Sequence, residues 1–124
     1  MSVFNTVAKE DKVYSGDYFF MIFDRYPVSP GHILIISNDS SKINFFELSN
    51  EEKLELLNLI EIGKVIINEK FKPDGFNIGM NCGEAAGQTV MHFHCHLIPR
   101  YIGDMENPRG GIRYCIPEKG NYTP

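Results

Sequence analysis

The 124-residue chain has no tryptophan and only three cysteines, Cys82, Cys95 and Cys115, none of them in a CxxC pair. Three thiols cannot all pair within one chain, which suits a reducing cytoplasm, and a thiolate zinc site is not expected. A membrane span is missing too: no stretch approaches the roughly 18 uninterrupted apolar residues that one needs. Lys9, Glu10, Asp11 and Lys12 stand where an export signal would carry its apolar region, so no signal peptide is expected. Positive charge is scarce. With 12 Lys and Arg against 16 Asp and Glu the formal net charge is −4, whereas a surface that coats nucleic acid needs a broad basic excess. The expected partner is therefore neither nucleic acid nor a membrane but something small, since a single phosphate ligand needs only local donors.

What is present fits one globular domain over 1–124. The hydrophobic content of 43% is enough for a core, and no repeat, low-complexity tract or linker divides the chain. Asp17 to Asp24 (DYFFMIFD) is aromatic and reads as a strand. Arg25 to Gly31 carries two prolines and a glycine and makes a loop. His32 to Ser37 (HILIIS) is nearly all apolar and predicts a second strand, buried on both faces. Ser49 and Glu52 have the spacing of a capping box. The run that follows, to about Phe71, has Leu54, Leu57, Ile60, Val65 and Ile67 among Glu and Lys, which predicts a long amphipathic helix stopped by Pro73-Asp74-Gly75. Phe76 to Asn81 and Thr89 to Ile98 predict two more strands, the last ended by Pro99, and the tail beyond reads as extended. Strands in sequential pairs around one long helix predict an α+β fold with an antiparallel sheet.

Three of the four histidines fall within Met91-His92-Phe93-His94-Cys95-His96-Leu97-Ile98. Side chains alternate along a strand, so His92, His94 and His96 share one face and Phe93, Cys95 and Leu97 the other. One reading of such a row is incidental surface polarity, but unsatisfied imidazoles on a central strand are costly. A second is a metal site, with His32 as a fourth ligand. Same-face positions on one strand stand about 6.6 Å apart, which serves two ligands better than three. The third reading is covalent catalysis at phosphorus. Neutral imidazole is a nucleophile near pH 7, and its neighbours can donate to the phosphoryl oxygens and the leaving group. Gly87-Gln88-Thr89, immediately upstream, can offer backbone N–H groups and a hydroxyl to an anion.

The segment Gly87-Gln-Thr-Val-Met-His-Phe-His-Cys-His-Leu-Ile-Pro-Arg100 resembles the defining motif of the histidine triad (HIT) superfamily of nucleotide hydrolases and transferases. Asp24-Arg-Tyr-Pro-Val-Ser-Pro-Gly-His-Ile-Leu-Ile-Ile36 is similar to a second signature of that family, and Asn81-Cys-Gly-Glu-Ala-Ala-Gly87 to its connecting loop. The resemblance implies a HIT-like sheet with one long helix and a shorter one. It implies His94 as the nucleophile, His96 on the scissile phosphate and leaving group, and His92 and His32 orienting the cluster. It further implies Asp24 on the ribose hydroxyls, Asn81 and Gly87, Gln88 and Thr89 around the phosphate, and Ile22 facing the base. No metal or cofactor is required by this chemistry, although Mg²⁺ can accompany a polyphosphate substrate, and a homodimer is expected. The wording of Gly83 to Val90 is closer to the dinucleoside polyphosphate hydrolases. Nucleoside phosphoramidate hydrolysis and a weakly catalytic nucleotide-binding regulator are the alternatives. Many family members carry a longer N-terminal segment that frames the base, which leaves base preference open. Plainer readings also stand: Asp24 as a strand terminator, Asn81 as a loop cap, His32 as a structural histidine, and Arg109 and Arg113 as a solvated pair.

Overall fold

The computed structural model describes residues 2–122. A five-stranded, wholly antiparallel sheet is built from β1 (Tyr14–Ser15), β2 (Phe19–Phe23), β3 (Ile33–Ser37), β4 (Gly75–Gly79) and β5 (His94–Arg100), in the spatial order β1-β2-β3-β5-β4. One helix, α1 (Asn50–Lys70), crosses one face. The α+β expectation and the long helix hold. Among the described residues the shorter helix is present only as single 3₁₀ turns, at Val3–Thr6 and at Gly111–Cys115 among others.

The capping box forms as its spacing predicts. The Ser49 hydroxyl accepts from the Glu52 N–H at 3.1 Å, and the Glu52 carboxylate accepts from the Ser49 N–H at 2.7 Å, which together stabilise the helix start by on the order of 1 kcal/mol. The buried face of α1 differs from the predicted stripe. Leu56, Leu59, Gly63 and Ile67 face the sheet, whereas Leu54, Leu57 and Val65 are exposed. Steps of three and four residues from Glu52 run through 56, 59, 63 and 67, and at 100° per residue Leu54, Leu57 and Val65 fall on another side of the cylinder. Gly63 marks the closest approach of helix and sheet: a Cβ there would lie 2.9 Å from Leu97 Cδ2. Phe19, Met21, Ile33, Ile35, Phe93, Cys95 and Leu97 close this core from the sheet side.

The opposite face of the sheet carries His94 and His96. The register pairs Ile22 with Leu34, Leu34 with His96, and His96 with Gly79; the neighbouring row pairs Phe20 with Ile36 and Ile36 with His94. Here the strand bounds need correction. Thr89 to Phe93 is not strand: β5 begins at His94 and passes through Pro99 to Arg100. Pro99 is tolerated because its backbone edge faces the end of β3, where the Ser29 hydroxyl bonds its carbonyl at 2.5 Å and no ladder N–H is needed. The tail is not extended either, since Gly111–Cys115 and Pro117–Lys119 form 3₁₀ turns.

Candidate active site

The Pro-rich loop between β2 and β3 brings Asp24 and His32 together. The Asp24 N–H donates to the His32 carbonyl at 2.9 Å, which closes the hairpin. Gly31 makes the turn possible: its φ is +91°, and a Cβ would meet the Phe71 ring at 2.8 Å. The Asp24 carboxylate accepts the Tyr26 N–H at 2.9 Å and lies 3.5 Å from His32 Nε2. It is partly exposed, as a ribose contact requires, and the hairpin also ends at it.

The four imidazoles form two chains whose protons are placed by backbone groups of fixed polarity. In the first, the Val28 N–H donates to His32 Nδ1 at 3.0 Å. That nitrogen can only accept, so the His32 proton sits on Nε2, which donates to His96 Nδ1 at 2.9 Å. His96 must then carry its own proton on Nε2. In the second chain, His94 Nδ1 lies 2.8 Å from the His92 carbonyl. A carbonyl can only accept, so His94 donates from Nδ1 and keeps the lone pair on Nε2. The His94 and His96 rings are neighbours, with centroids 5.3 Å apart at 67°. A nucleophilic nitrogen and a donor N–H therefore stand side by side on one strand.

Electrostatics holds both rings neutral. Burial pushes His96 down to about 4, aided by the neighbouring His94 and His32 imidazoles. Burial also lowers His94, partly offset by its bond to the His92 carbonyl, and lowers His32 against the opposing pull of Asp24. His92 lies outside the strand but is 1% exposed, with Nε2 donating to the Ser37 carbonyl at 2.7 Å.

The loop upstream is closed by its own hydrogen bonds. The Gly87 N–H donates to Glu84 and the Gln88 N–H to Gly83. The Gln88 side chain is buried, accepting from the Gly83 N–H and donating to the Ile43 and Val90 carbonyls. Gln88 thus staples the loop, and the Gly87 N–H is likewise engaged. Thr89, exposed, is the member of the trio left outside these bonds. Asn81 and Gly87 line an open cavity of about 800 Å³, with His96, Val28, Ile98 and Ile112. Among the described residues no Lys or Arg lines it. Arg109 and Arg113 instead flank the Tyr122 ring, at 5.1 and 4.7 Å.

Ile22 belongs to an apolar patch with Phe20, Leu34 and Ile36, onto which Phe4 and Val7 pack. It lies two strands from His96, about 10 Å at ordinary strand spacing. Phe4 and Ser2 had no sequence signal. The Phe4 ring meets the His92 and His94 rings edge-on, with centroids 5.4 and 5.1 Å away, and the Ser2 hydroxyl lies 2.9 Å from His92 Nδ1.

As a metal site, Asp24, His32 and His96 bring three ligand atoms within 4.8 Å of one another. The His32–His96 separation of 2.9 Å is that of a hydrogen bond; two nitrogens on a tetrahedral zinc stand about 3.3 Å apart. Mg²⁺ prefers oxygen, so Asp24 alone of the three would suit it.

A family model described as the HIT domain matches residues 5–103. The chain belongs to the HIT family. Among its relatives, a bis(5'-adenosyl)-triphosphatase of Saccharomyces cerevisiae is 30% identical over 103 residues, 80% of this chain and 50% of the relative. This HIT chain thus spans about half the length of the yeast relatives it matches. Among solved structures, a HIT family protein from Bacillus anthracis is 38% identical, with a TM-score of 0.70 over 76% of this chain and 66% of that one. The Plasmodium falciparum diadenosine triphosphate hydrolase, solved with cyclomarin A, is 31% identical, with a TM-score of 0.73 over 82% of this chain and 68% of that one. In this HIT chain no helix among the described residues is long and apolar enough to cross a membrane.

Proposed function

We propose that the protein hydrolyses a small nucleotide at its α-phosphorus through a nucleotidyl-histidine on His94. The observation that carries this reading is the pair of opposite tautomers, a lone pair on His94 Nε2 beside an N–H on His96 Nε2. In the first step the His94 Nε2 lone pair forms a bond to phosphorus. The bond from phosphorus to the leaving group breaks, its electron pair staying with that group, which the His96 N–H stabilises by a hydrogen bond while any proton it needs comes from solvent. In the second, water attacks the same phosphorus and loses a proton to solvent, the P–N bond returns its electrons to His94, and a nucleoside monophosphate departs. Asp24 holds the ribose, Ile22 and Leu34 support the base, and Thr89 and Asn81 bound the phosphate.

A dinucleoside polyphosphate is the favoured substrate, supported by the yeast triphosphatase and the Plasmodium hydrolase; Mg²⁺ would then travel with the polyphosphate. One observation favours the phosphoramidate alternative: among the described residues, the cavity beside His96 has no Lys or Arg to meet a charged leaving group. The exposed Leu54, Leu57 and Val65 on α1, with the half-exposed Ile78 on edge strand β4, support a homodimer. The deciding experiment offers purified protein a panel of adenosine and guanosine polyphosphates and phosphoramidates, and repeats it with His94→Ala. Release of nucleoside monophosphate by wild type, and its loss in a variant that still binds nucleotide, is expected. Near-normal turnover in the variant would overturn the mechanism.

A further inference from the structure

The His94 lone pair points correctly only while the His92 carbonyl stays where it is, and the sheet does not hold that carbonyl. β5 begins one residue after Phe93, and His92 lies in a bend. The peptide linking His92 to Phe93 is tied on its N–H side, where Phe93 donates to the Lys42 carbonyl at 2.7 Å. Phe93 is held on its other side too, its carbonyl accepting the Ser37 N–H at 3.1 Å, and a further constraint on His92 comes through its own ring, 1% exposed and bonded at both nitrogens. His92 Nε2 donates to the Ser37 carbonyl, and in that tautomer Nδ1 accepts and needs a donor. The Ser2 hydroxyl, 2.9 Å away, is that donor. The same oxygen accepts the Phe4 N–H at 3.1 Å, which sets the Phe4 ring edge-on against His92 and His94. One hydroxyl thus joins the N-terminal segment to both histidines.

We propose that Ser2 is a positioning residue: its hydroxyl fixes the His92 ring and thereby the His92 carbonyl, which aims the His94 lone pair at phosphorus. Nothing in the arrangement lets Ser2 touch the reacting atoms; it acts through His92. The catalytic part of this inference rests on His94 being the nucleophile, whereas the positioning part is a statement about ring protons and can be tested without a substrate.

Two measurements on Ser2→Ala and Ser2→Thr do so. In ¹⁵N-labelled protein, long-range histidine spectra of wild type should show His92 protonated on Nε2 and His94 on Nδ1. In Ser2→Ala the His94 signals should move toward a mixture of tautomers, and Ser2→Thr, which keeps the hydroxyl, should restore the wild-type pattern. With a nucleotide substrate, Ser2→Ala should lower kcat roughly tenfold and leave KM within about twofold, as expected when a nucleophile is misplaced while the groups that bind substrate stay intact. Ser2→Thr should recover most of kcat. Unchanged tautomers in Ser2→Ala, or equal losses in both variants, would overturn the proposal. A wild type inactive on every nucleotide offered would refute the hydrolase reading and leave the spectra to decide the positioning role.

Discussion

Mild acid should destabilise this fold before its carboxylates protonate, with His96 as a main cause. In the unfolded chain an imidazole protonates near 6.5, whereas in the folded protein burial among other imidazoles holds His96 down to about 4. Between those values the unfolded state binds a proton that the folded state refuses, so stability is full above 6.5 and falls as pH drops toward 4. Taken to pH 4.5, the loss from this one ring has a ceiling of about 2.5 kcal/mol, from about 1.36 kcal/mol per pK unit. The ring retains some solvent contact, and screening brings the expected loss nearer 1.5–2 kcal/mol. His94 and His32 are lowered in the same direction and add to it in the wild type. Asp39, Glu52 and Asp104 are also held below their ordinary values, but their stabilisation is lost only below about 4.5, so pH 7.5 to 4.5 isolates the imidazoles. The comparison is urea unfolding of wild type and His96→Asn across that range. An asparagine Oδ1 can stand near His96 Nδ1 and accept from His32 Nε2, yet it does not titrate. From its own neutral-pH stability the variant should lose about 1.5–2 kcal/mol less than wild type. Equal losses would refute the reasoning.

Three further outcomes follow from the site. If Asp24 holds the ribose, the 2'-deoxy analogue should bind roughly tenfold worse, because an acceptor is left without its partner, and the ratio should shrink in Asp24→Ala; an unchanged ratio would leave Asp24 as a hairpin terminator. Gly31→Ala places a Cβ against Phe71 at a φ of +91° and should cost about 2–3 kcal/mol in denaturant unfolding, whereas a loss under about 0.5 kcal/mol would mean the loop relaxes freely. Dialysis against a chelator should leave nucleotide binding intact, and a stoichiometric transition metal released from wild type but not from Asp24→Ala would revive the metal reading.

The fold is legible where local chemistry decides it. The capping box sets the start of α1 to the residue, and alternation sets the faces from Phe93 onward, since Phe93, Cys95 and Leu97 do enter the core. Two departures share one cause. Residue type alone extends the strand back to Thr89 and draws the apolar stripe of α1 through Leu54, Leu57 and Val65, and in both places it is a poor proxy for burial. In the structure Thr89 is exposed, and Gln88 is buried because its amide ties the loop together. The two-residue β1 carries too short a pattern to be seen.

The site shows a sharper division. That His94 and His96 share a face can be read from spacing, because a strand places alternate residues on one face; that His92 and His32 join them cannot, since neither lies on that strand. Which nitrogen of each ring carries the proton cannot, since the deciding groups are the Val28 N–H and the carbonyls of Ser37 and His92. Backbone atoms have no residue-type signature. Their effect is nevertheless decisive, because an N–H can only donate and a carbonyl can only accept. The acid limb of the rate illustrates the difference. An isolated imidazole nucleophile places it at about 6 to 7; if His94 is the nucleophile, its burial should move the limb to lower pH, because the ring keeps its lone pair into more acidic solution. If the proposed chemistry at phosphorus holds, it depends on three peptide groups that position and polarise the histidines, and substitutions that move those peptides should act on kcat without touching a histidine.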